Sequence, residues 1–403
     1  MAKKGQRLIS TFMAITILVV GFALGTSFEK VRAAEELETK LEIFLQVLDI
    51  VRNDYVEKDV DYTKVVYGAI RGMLKGLDDP YTRFMEPPAY KEMKIRMRGS
   101  YSGIGIYIGM KNDLLTVISP IDDTPADKAG LKAGDLIVSV DSKSTEHMAL
   151  EEAVSLIRGK RGTAVVLGIM RKGMKKPKDY KIVRDNIKIK SVVVKDLSNR
   201  KIAYIKLNTF EDQRAASKIR EALTQAKKAG KTGLIIDVRN NGGGLLQNAI
   251  DIGSMFIKEG PIVYTVDRED RRETLSATGQ VVWNMPTVIL INGASASASE
   301  ILAGALKDTK KAKVVGTNSF GKASVQSVRT LNDDSALLIT IAKYLTPSGT
   351  DINKKGITPD IVVTIPTPEA GAEEVVFKLG DEAEDIQLQK AIKVLEKEMK
   401  DAS

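Results

Sequence analysis

The stretch Thr287-Val-Ile-Leu-Ile-Asn-Gly-Ala-Ser-Ala-Ser-Ala-Ser-Glu-Ile301 joins an apolar run, through small residues, to a helical pattern. The apolar run 287–291 predicts a buried strand, and a helix is predicted to begin near Ser299. Other short apolar runs, each typical of a strand, precede this stretch. Among them lies a segment whose apolar residues have helical periodicity and which ends at Gly230. This alternation of strands and helices after residue 190 predicts an α/β or α+β core.

The small-residue turn places a serine at a helix N-terminus, among neighbours that leave room for a substrate. Ser297 and Glu300 also have the spacing of a capping box, so a purely structural serine stays open here. A nucleophilic serine needs a base. The single histidine, His147, lies in another part of the chain, where a surface position is expected, so a Ser-His-Asp triad is not predicted. A buried lysine can serve instead, and Lys322 follows a strand in the same region.

A second turn, Asp237-Val-Arg-Asn-Asn-Gly-Gly-Gly-Leu-Leu246, also connects a strand to a helical pattern. Its glycines leave backbone N–H groups exposed at a helix start, which suits a developing negative charge. Phosphate binding is not predicted, because neither a P-loop nor a Gly-x-Gly-x-x-Gly pattern occurs here. A purely structural turn remains the other interpretation.

Near residue 99 the pattern changes to short β-rich runs separated by glycine. The run Ala129-Gly-Leu-Lys-Ala-Gly-Asp135 leads directly into the strand 136–140, and the whole unit resembles the PDZ domains of bacterial proteases. A small barrel that binds nothing is the alternative. The resemblance implies a site for a substrate C-terminus beside a strand edge and a helix. The expected peptide-binding residues are Gly103, Ile104, Gly105, Ile106, Leu150 and Val154.

Length and composition bound the remaining possibilities. At 403 residues the chain is expected to hold more than one domain. The net charge of +9 is spread along the chain with no basic run among aromatics, so nucleic-acid binding is not expected. The absence of cysteine excludes disulfides, thiolate metal sites and cysteine nucleophiles. No metal and no organic cofactor are expected.

The N-terminus carries an export pattern. Lys3, Lys4 and Arg7 precede the uncharged stretch 8–28, which is long enough to span a bilayer. A membrane anchor and a cleaved signal peptide ending near Ala33 both fit. Either predicts a periplasmic or extracytoplasmic protein, with the anchor holding it at the inner membrane. Helical periodicity then predicts two helices, over 37–51 and 65–74.

Five stretches together resemble the carboxyl-terminal processing peptidases, also called tail-specific proteases. The resemblance covers roughly residues 40 to 365 and implies a serine endopeptidase with an inserted PDZ domain. Its motifs lie at 237–246, 295–300, 320–326, 344–349 and 356–360.

The same resemblance implies the roles of individual residues. Ser297 takes the position of the nucleophile and Lys322 that of the general base. Gln326 matches the residue that orients the lysine, and Asp308 matches an acidic position sometimes grouped with the pair, although a solvated carboxylate fits equally. Backbone N–H groups of Ala298 and Gly244 are expected to form the oxyanion hole. Gly242 stands where many members have proline, and Ala323 where glycine is common, which affects loop flexibility.

The predicted architecture is therefore a multidomain α/β (α+β) protease core with an inserted β-rich PDZ domain and N-terminal helices. Expected partners are protein or peptide substrates with free C-termini and the membrane, with a homo-oligomer or an adaptor protein also open. A non-enzymatic PDZ adaptor and a protease that needs an activating partner are the alternatives. The expected divisions are a signal peptide or anchor (1–34), a helical region (35–98), the PDZ domain (99–185), the protease core (186–366) and a helical tail (367–403).

Overall fold

The computed structural model describes residues 37–111, 114–121, 123–146, 148, 150–171, 173–188, 190–198, 200–365 and 379–401. The predicted anchor or signal segment and His147 lie outside these residues. The chain divides into two compact units, Met1–Gly72 and Met73–Ser403. No helix within the described ranges is long and apolar enough to cross a bilayer.

The described helices include the two that the sequence periodicity predicts over 37–51 and 65–74. In chain order they are α1 (37–54), α2 (Tyr62–Lys75), α3 (Pro87–Arg98), α4 (Pro125–Lys128), α5 (Leu150–Ile157), α6 (Ala215–Lys228), α7 (Leu246–Gly253), α8 (Ala298–Asp308) and α9 (Ile386–Asp401).

The described strands form four sheets. In chain order they are β1 (Arg83–Met85), β2 (Ser100–Gly103), β3 (Ile106–Lys111), β4 (Leu114–Pro120), β5 (Leu136–Val140), β6 (Lys143–Ser144), β7 (Ala164–Met170), β8 (Lys178–Val183), β9 (Asp185–Lys188), β10 (Val192–Asp196), β11 (Ile202–Leu207), β12 (Gly233–Asp237), β13 (Pro261–Asp267), β14 (Arg272–Ser276), β15 (Thr287–Ile291), β16 (Lys313–Gly316), β17 (Ser324–Thr330), β18 (Ala336–Leu345) and β19 (Ile361–Val362).

The first unit contains α1 and most of α2, as the periodicity predicts. Several apolar side chains of α1, among them Leu41, Phe44 and Leu45, are exposed.

The core of the second unit is a six-stranded sheet in the order β10-β11-β12-β15-β16-β19. All of its pairs are parallel except β10 with β11. Strands β12 and β15 are buried along their whole length, because helices cover both faces of the sheet. Ile236 and Ile289 face the cluster formed with α6, α7 and α8, whereas Ile235 and Val288 face α9.

Helix α9 is part of this core, since Leu388, Ala391 and Leu395 are fully buried against the sheet. The buried Arg239 joins the helix to the sheet. Its guanidinium donates to both carboxylate oxygens of Asp385, at 2.9 and 2.6 Å, and of Asp237, at 3.0 and 2.7 Å.

A second sheet is antiparallel, and residues of its strands β17 and β18 line a cavity together with Ser297. Its order is β1-β18-β13-β14, and β17 pairs with the long strand β18. The short strand β1 brings the segment that follows α2 onto β18, where Arg83 lies opposite Leu338.

The PDZ part is a six-stranded antiparallel sheet, β3-β4-β5-β7-β8 with β6 on β5, closed around its own apolar cluster. The two-stranded sheet β2-β9 carries the chain into and out of it. The predicted fold class, an α/β core with an inserted β-rich domain and N-terminal helices, is confirmed.

Candidate active site

Three loops meet at one edge of the parallel sheet. Strands β12, β15 and β16 are neighbours, so the segments that leave their carboxyl ends lie side by side. These segments carry the glycine turn, Ser297 and Lys322, respectively. Their side chains line one cavity of about 510 Å³. The topology thus brings together residues that are far apart in the chain.

Ser297 is the serine of its motif that faces this cavity. Ser295 and Ser299 are fully buried, and their hydroxyl groups donate to the carbonyl oxygens of Val238 and Asn241, both at 2.8 Å. Ser297 itself is half-buried and lines the cavity. Its φ of 55° lies in the left-handed region, which is unfavourable for a non-glycine residue and marks a sharp turn into α8.

Glu300 connects the serine loop to the lysine loop. Its carboxylate is fully buried and accepts hydrogen bonds from four groups within 3.0 Å, with the Tyr344 hydroxyl a fifth donor at 3.4 Å. One oxygen accepts from the backbone N–H of Ser297 at 2.8 Å and of Lys322 at 3.0 Å. The other accepts from the Ser319 hydroxyl and the Gly321 N–H, both at 2.6 Å. The Ser297–Glu300 spacing therefore does more than cap α8, because it fixes two loops relative to each other.

Tyr344 makes a second connection between the same loops. Its hydroxyl lies 3.2 Å from the carbonyl oxygen of Ser297 and within hydrogen-bonding distance of that of Lys322. Burial raises the pKa of Tyr344 well above its ordinary value, and the nearby carboxylate of Glu300 raises it further. The phenol therefore stays protonated and able to donate.

Lys322 is half-buried, with its amine 4.5 Å from the centroid of the Tyr81 ring. Burial lowers the pKa of the Lys322 ammonium below its ordinary value, and the positive charge of Arg83 lowers it further, against opposing effects of Asp79 and Glu300. A lysine that loses its proton more readily is better suited to accept one from a serine hydroxyl.

The glycine turn passes close to the serine. A Cβ built on Gly243 would lie 2.9 Å from the backbone nitrogen of Ala298 and 2.9 Å from Cβ of Ser297. Ala298 is the first residue of α8, so its N–H has no acceptor earlier in the helix. Gly244 lines the same cavity. Of the two predicted oxyanion residues, Ala298 directly follows Ser297 and Gly244 lines the same cavity, where the positive end of the helix dipole favours negative charge.

The remaining predicted residues of the core lie in different surroundings. The Gln326 side chain lines the cavity and donates to the hydroxyl groups of Ser324, at 2.9 Å, and Thr340, at 3.3 Å. Asp308 lies at the far end of α8, about 16 Å along the helix from Ser297, and accepts from the N–H of Ser348 at 2.9 Å. Within the described ranges, no cluster of acidic or histidine side chains is arranged to hold a metal ion.

The predicted peptide-binding residues lie on two elements of the PDZ part. Gly105, with φ of 82°, turns the chain into β3, while Ile104 is buried and Ile106 packs partly buried on the PDZ cluster. Leu150 and Val154 lie on α5, where both are half-buried. Gly103 is buried at the end of β2.

Sequence reasoning missed several residues of this site. The sequence pattern indicates only a capping role for Glu300, and it gives no role to Tyr344, which lies in one of the resembling motifs. The segment Asp79–Arg83 falls within the predicted helical region, and its contribution depends on the pairing of β1 with β18. No local periodicity signals that pairing.

Comparison with known proteins gives matches along most of the chain. Residues 201–363 match the model of peptidase family S41, residues 116–171 that of the PDZ domain, and residues 24–88 that of the activating protease CtpB N-terminal domain.

Two relatives and one solved structure illustrate the likeness. The carboxy-terminal-processing protease of Bartonella bacilliformis is 38% identical, with 97% of this chain and 95% of the relative covered. The carboxy-terminal processing protease CtpA of Bacillus subtilis is 34% identical, with 95% and 82% covered. A crystal structure of an S41 protease from Bacteroides fragilis shares the fold at 15% identity, with a TM-score of 0.52 and 87% and 96% covered.

Proposed function

Because the chain belongs to the carboxyl-terminal processing proteases of peptidase family S41 and is a serine peptidase with a PDZ domain, we propose that Ser297 is its nucleophile and Lys322 its general base. One observation carries the proposal. Ser297 and Lys322 line the same cavity, at the carboxyl edge of a parallel sheet. The hydroxyl groups of Ser295 and Ser299 are hydrogen-bonded elsewhere, and the pKa of Lys322 is lowered.

The reaction is acyl transfer. Neutral Lys322 accepts the hydroxyl proton of Ser297 as the serine oxygen attacks the carbonyl carbon of a peptide bond. The N–H groups of Ala298 and Gly244 stabilise the oxyanion. The protonated lysine then donates to the leaving amine as the C–N bond breaks. Water attacks the acyl-enzyme with Lys322 again as base, which releases the new carboxylate and restores the hydroxyl.

Gln326 has a supporting place in this scheme. Its amide lines the cavity beside Lys322 while held by Ser324 and Thr340, so it can orient the amine through its carbonyl oxygen. Asp308 has a structural place in this scheme, because it supports the loop at Ser348 from the opposite end of α8.

The PDZ domain provides the selection of substrates. A free C-terminal carboxylate binds at the backbone of Gly103–Gly105, and an apolar final side chain lies between Ile106 and the helix residues Leu150 and Val154. The substrates are exported proteins, since the basic residues 3, 4 and 7 and the uncharged stretch 8–28 direct the chain across a membrane.

The proposal is tested with the full-length chain in detergent. An unstructured protein ending in apolar residues, and the same protein ending in charged residues, are incubated with the parent, Ser297→Ala and Lys322→Met. Cleavage by the parent alone, faster for the apolar tail, is expected. Tail binding without cleavage by the parent would instead support the adaptor function. Equal cleavage of both tails would remove the role given to the PDZ domain.

A further inference from the structure

The segment Asp79–Arg83, here called the wall, reaches the cavity that holds Ser297 and Lys322 through the lining residue Arg83, while its Tyr81 lies against the Lys322 amine. Its strand β1 pairs with β18, so its position relative to the core is set by backbone hydrogen bonds. Arg83 lines the cavity beside Lys322. Tyr81 places its ring 4.5 Å from the lysine amine.

Side-chain hydrogen bonds hold this wall in place. The Asp79 carboxylate accepts from the Tyr81 N–H at 3.0 Å and from the Thr82 hydroxyl at 2.6 Å. The same Thr82 hydroxyl accepts from the N–H of Thr340 at 3.0 Å. Thr340 also contacts Gln326, so the wall and the strand that carries Gln326 are joined through one residue of β18.

We propose that this wall is part of the catalytic centre: Tyr81 positions the amine of Lys322, and Arg83 places its positive charge in the same cavity as that amine. The inference rests on the proposed role of Lys322 as general base. Both are positioning residues, since they act on the reaction through the lysine.

The charges around Lys322 determine the sign of the effect. Arg83, from the wall, disfavours the ammonium form. Asp79, from the same wall, and Glu300, from α8, favour it. Tyr81 and Tyr344 stay neutral, because burial raises the pKa of both phenols. Removal of the Arg83 charge therefore makes Lys322 harder to deprotonate, and removal of the Asp79 charge makes it easier.

The experiment compares kcat/KM against pH for the full-length parent, Arg83→Gln, Arg83→Lys and Asp79→Asn. For Arg83→Gln, the acid limb of the kcat/KM profile is expected to move to higher pH. On this limb kcat/KM should be roughly threefold lower than in the parent, whereas the plateau at high pH should be unchanged. Arg83→Lys should keep the limb of the parent, and Asp79→Asn should move it to lower pH. Arg268→Gln, at a residue 89% exposed in its side chain, controls for net charge.

Tyr81 is tested by Tyr81→Phe, which keeps the ring, and Tyr81→Leu, which removes it. Tyr81→Phe should retain the plateau, whereas Tyr81→Leu should lower it by about tenfold or more, since the amine is no longer held in place. Equal plateaus for Tyr81→Leu and the parent would overturn the positioning role.

A direct titration separates this inference from the proposed function. The Lys322 amine is followed by NMR in chain labelled with 13Cε-lysine, and the Lys322→Met spectrum identifies its signal. A higher Lys322 pKa in Arg83→Gln supports the inference whether or not the chain cleaves a given substrate. An unchanged or lower pKa, or an equal shift in Arg268→Gln, would overturn it. Failure of the proposed function alone would show as Ser297→Ala retaining cleavage.

Discussion

The substitution Glu300→Gln probes the connection on which the whole site depends. It keeps the size and shape of a fully buried side chain and changes only its hydrogen-bonding capacity. Within 3.0 Å the carboxylate accepts from Ser297 and Lys322 at one oxygen and from Ser319 and Gly321 at the other. A glutamine can accept at one oxygen only, and its NH2 group then faces two donors.

The magnitude follows from the number of bonds lost. A hydrogen bond to a charged acceptor contributes about 1.5–3 kcal/mol, so the loss of two lowers the free energy of unfolding by about 3–6 kcal/mol. Small displacement of either loop also separates base from nucleophile, which should reduce kcat/KM by about a hundredfold or more. Urea unfolding followed by circular dichroism, together with cleavage of a tailed substrate, measures both quantities.

A matched control is available in Glu259→Gln, at an exposed glutamate after α7. This variant should change the free energy of unfolding by no more than about 0.5 kcal/mol and leave cleavage unchanged. The reasoning would be refuted if Glu300→Gln behaved like Glu259→Gln in both measurements.

Three further predictions concern Gly243, Asp385 and Lys322. Gly243→Ala should reduce kcat/KM by about a hundredfold, because its Cβ would lie 2.7 Å from the Ala296 carbonyl oxygen. The control Gly260→Ala, at a glycine with a similar φ of 92° and no atom within 4 Å of the added Cβ, should retain activity. Equal losses of activity in the two variants would contradict this prediction. Asp385→Asn should lower the free energy of unfolding by about 3–5 kcal/mol in urea, because it leaves the buried Arg239 short of a charged partner, and a loss below about 1 kcal/mol would be inconsistent with that role. Lys322→Met should reduce kcat about a thousandfold or more. It should also raise the free energy of unfolding at neutral pH, because the lowered folded-state pKa of Lys322 means that its ammonium form destabilises the folded chain. In the parent, that contribution destabilises the fold below the folded-state pKa and disappears as pH rises to the ordinary lysine value, so Lys322→Met should lose its stability advantage at high pH; an advantage independent of pH would count against the lowered pKa.

Much of the core was predictable because its signals are local. The apolar runs at 233–238 and 287–291 predict buried strands, and each leads into a turn of small residues before a helix. Adjacent parallel strands then place those turns at one edge. The choice of Ser297 over its neighbours needed the resemblance, and the structure adds a physical reason, since Ser295 and Ser299 are bonded elsewhere.

The rest depended on contacts between distant parts of the chain. Nothing in the periodicity near Asp79 indicates that Tyr81 would lie over Lys322, because strand β1 has only three residues and pairs with β18. Helix α9 belongs to the stretch 367–403 that the sequence predicts as a helical tail, and its amphipathic pattern does not identify the surface against which it packs. In the structure that surface is the sheet of the same chain, through Leu388 and Leu395 and the buried contacts of Arg239.

The most direct test of the account is to trap the acyl-enzyme. The full-length parent and Lys322→Met are mixed with an activated peptide ester, quenched with acid, digested and mapped by mass spectrometry. The account predicts an acyl adduct on Ser297, formed faster as pH rises and at least about a thousandfold more slowly in Lys322→Met. An adduct on Ser295 or Ser299, or an adduct on Ser297 that forms equally fast without Lys322, would contradict it.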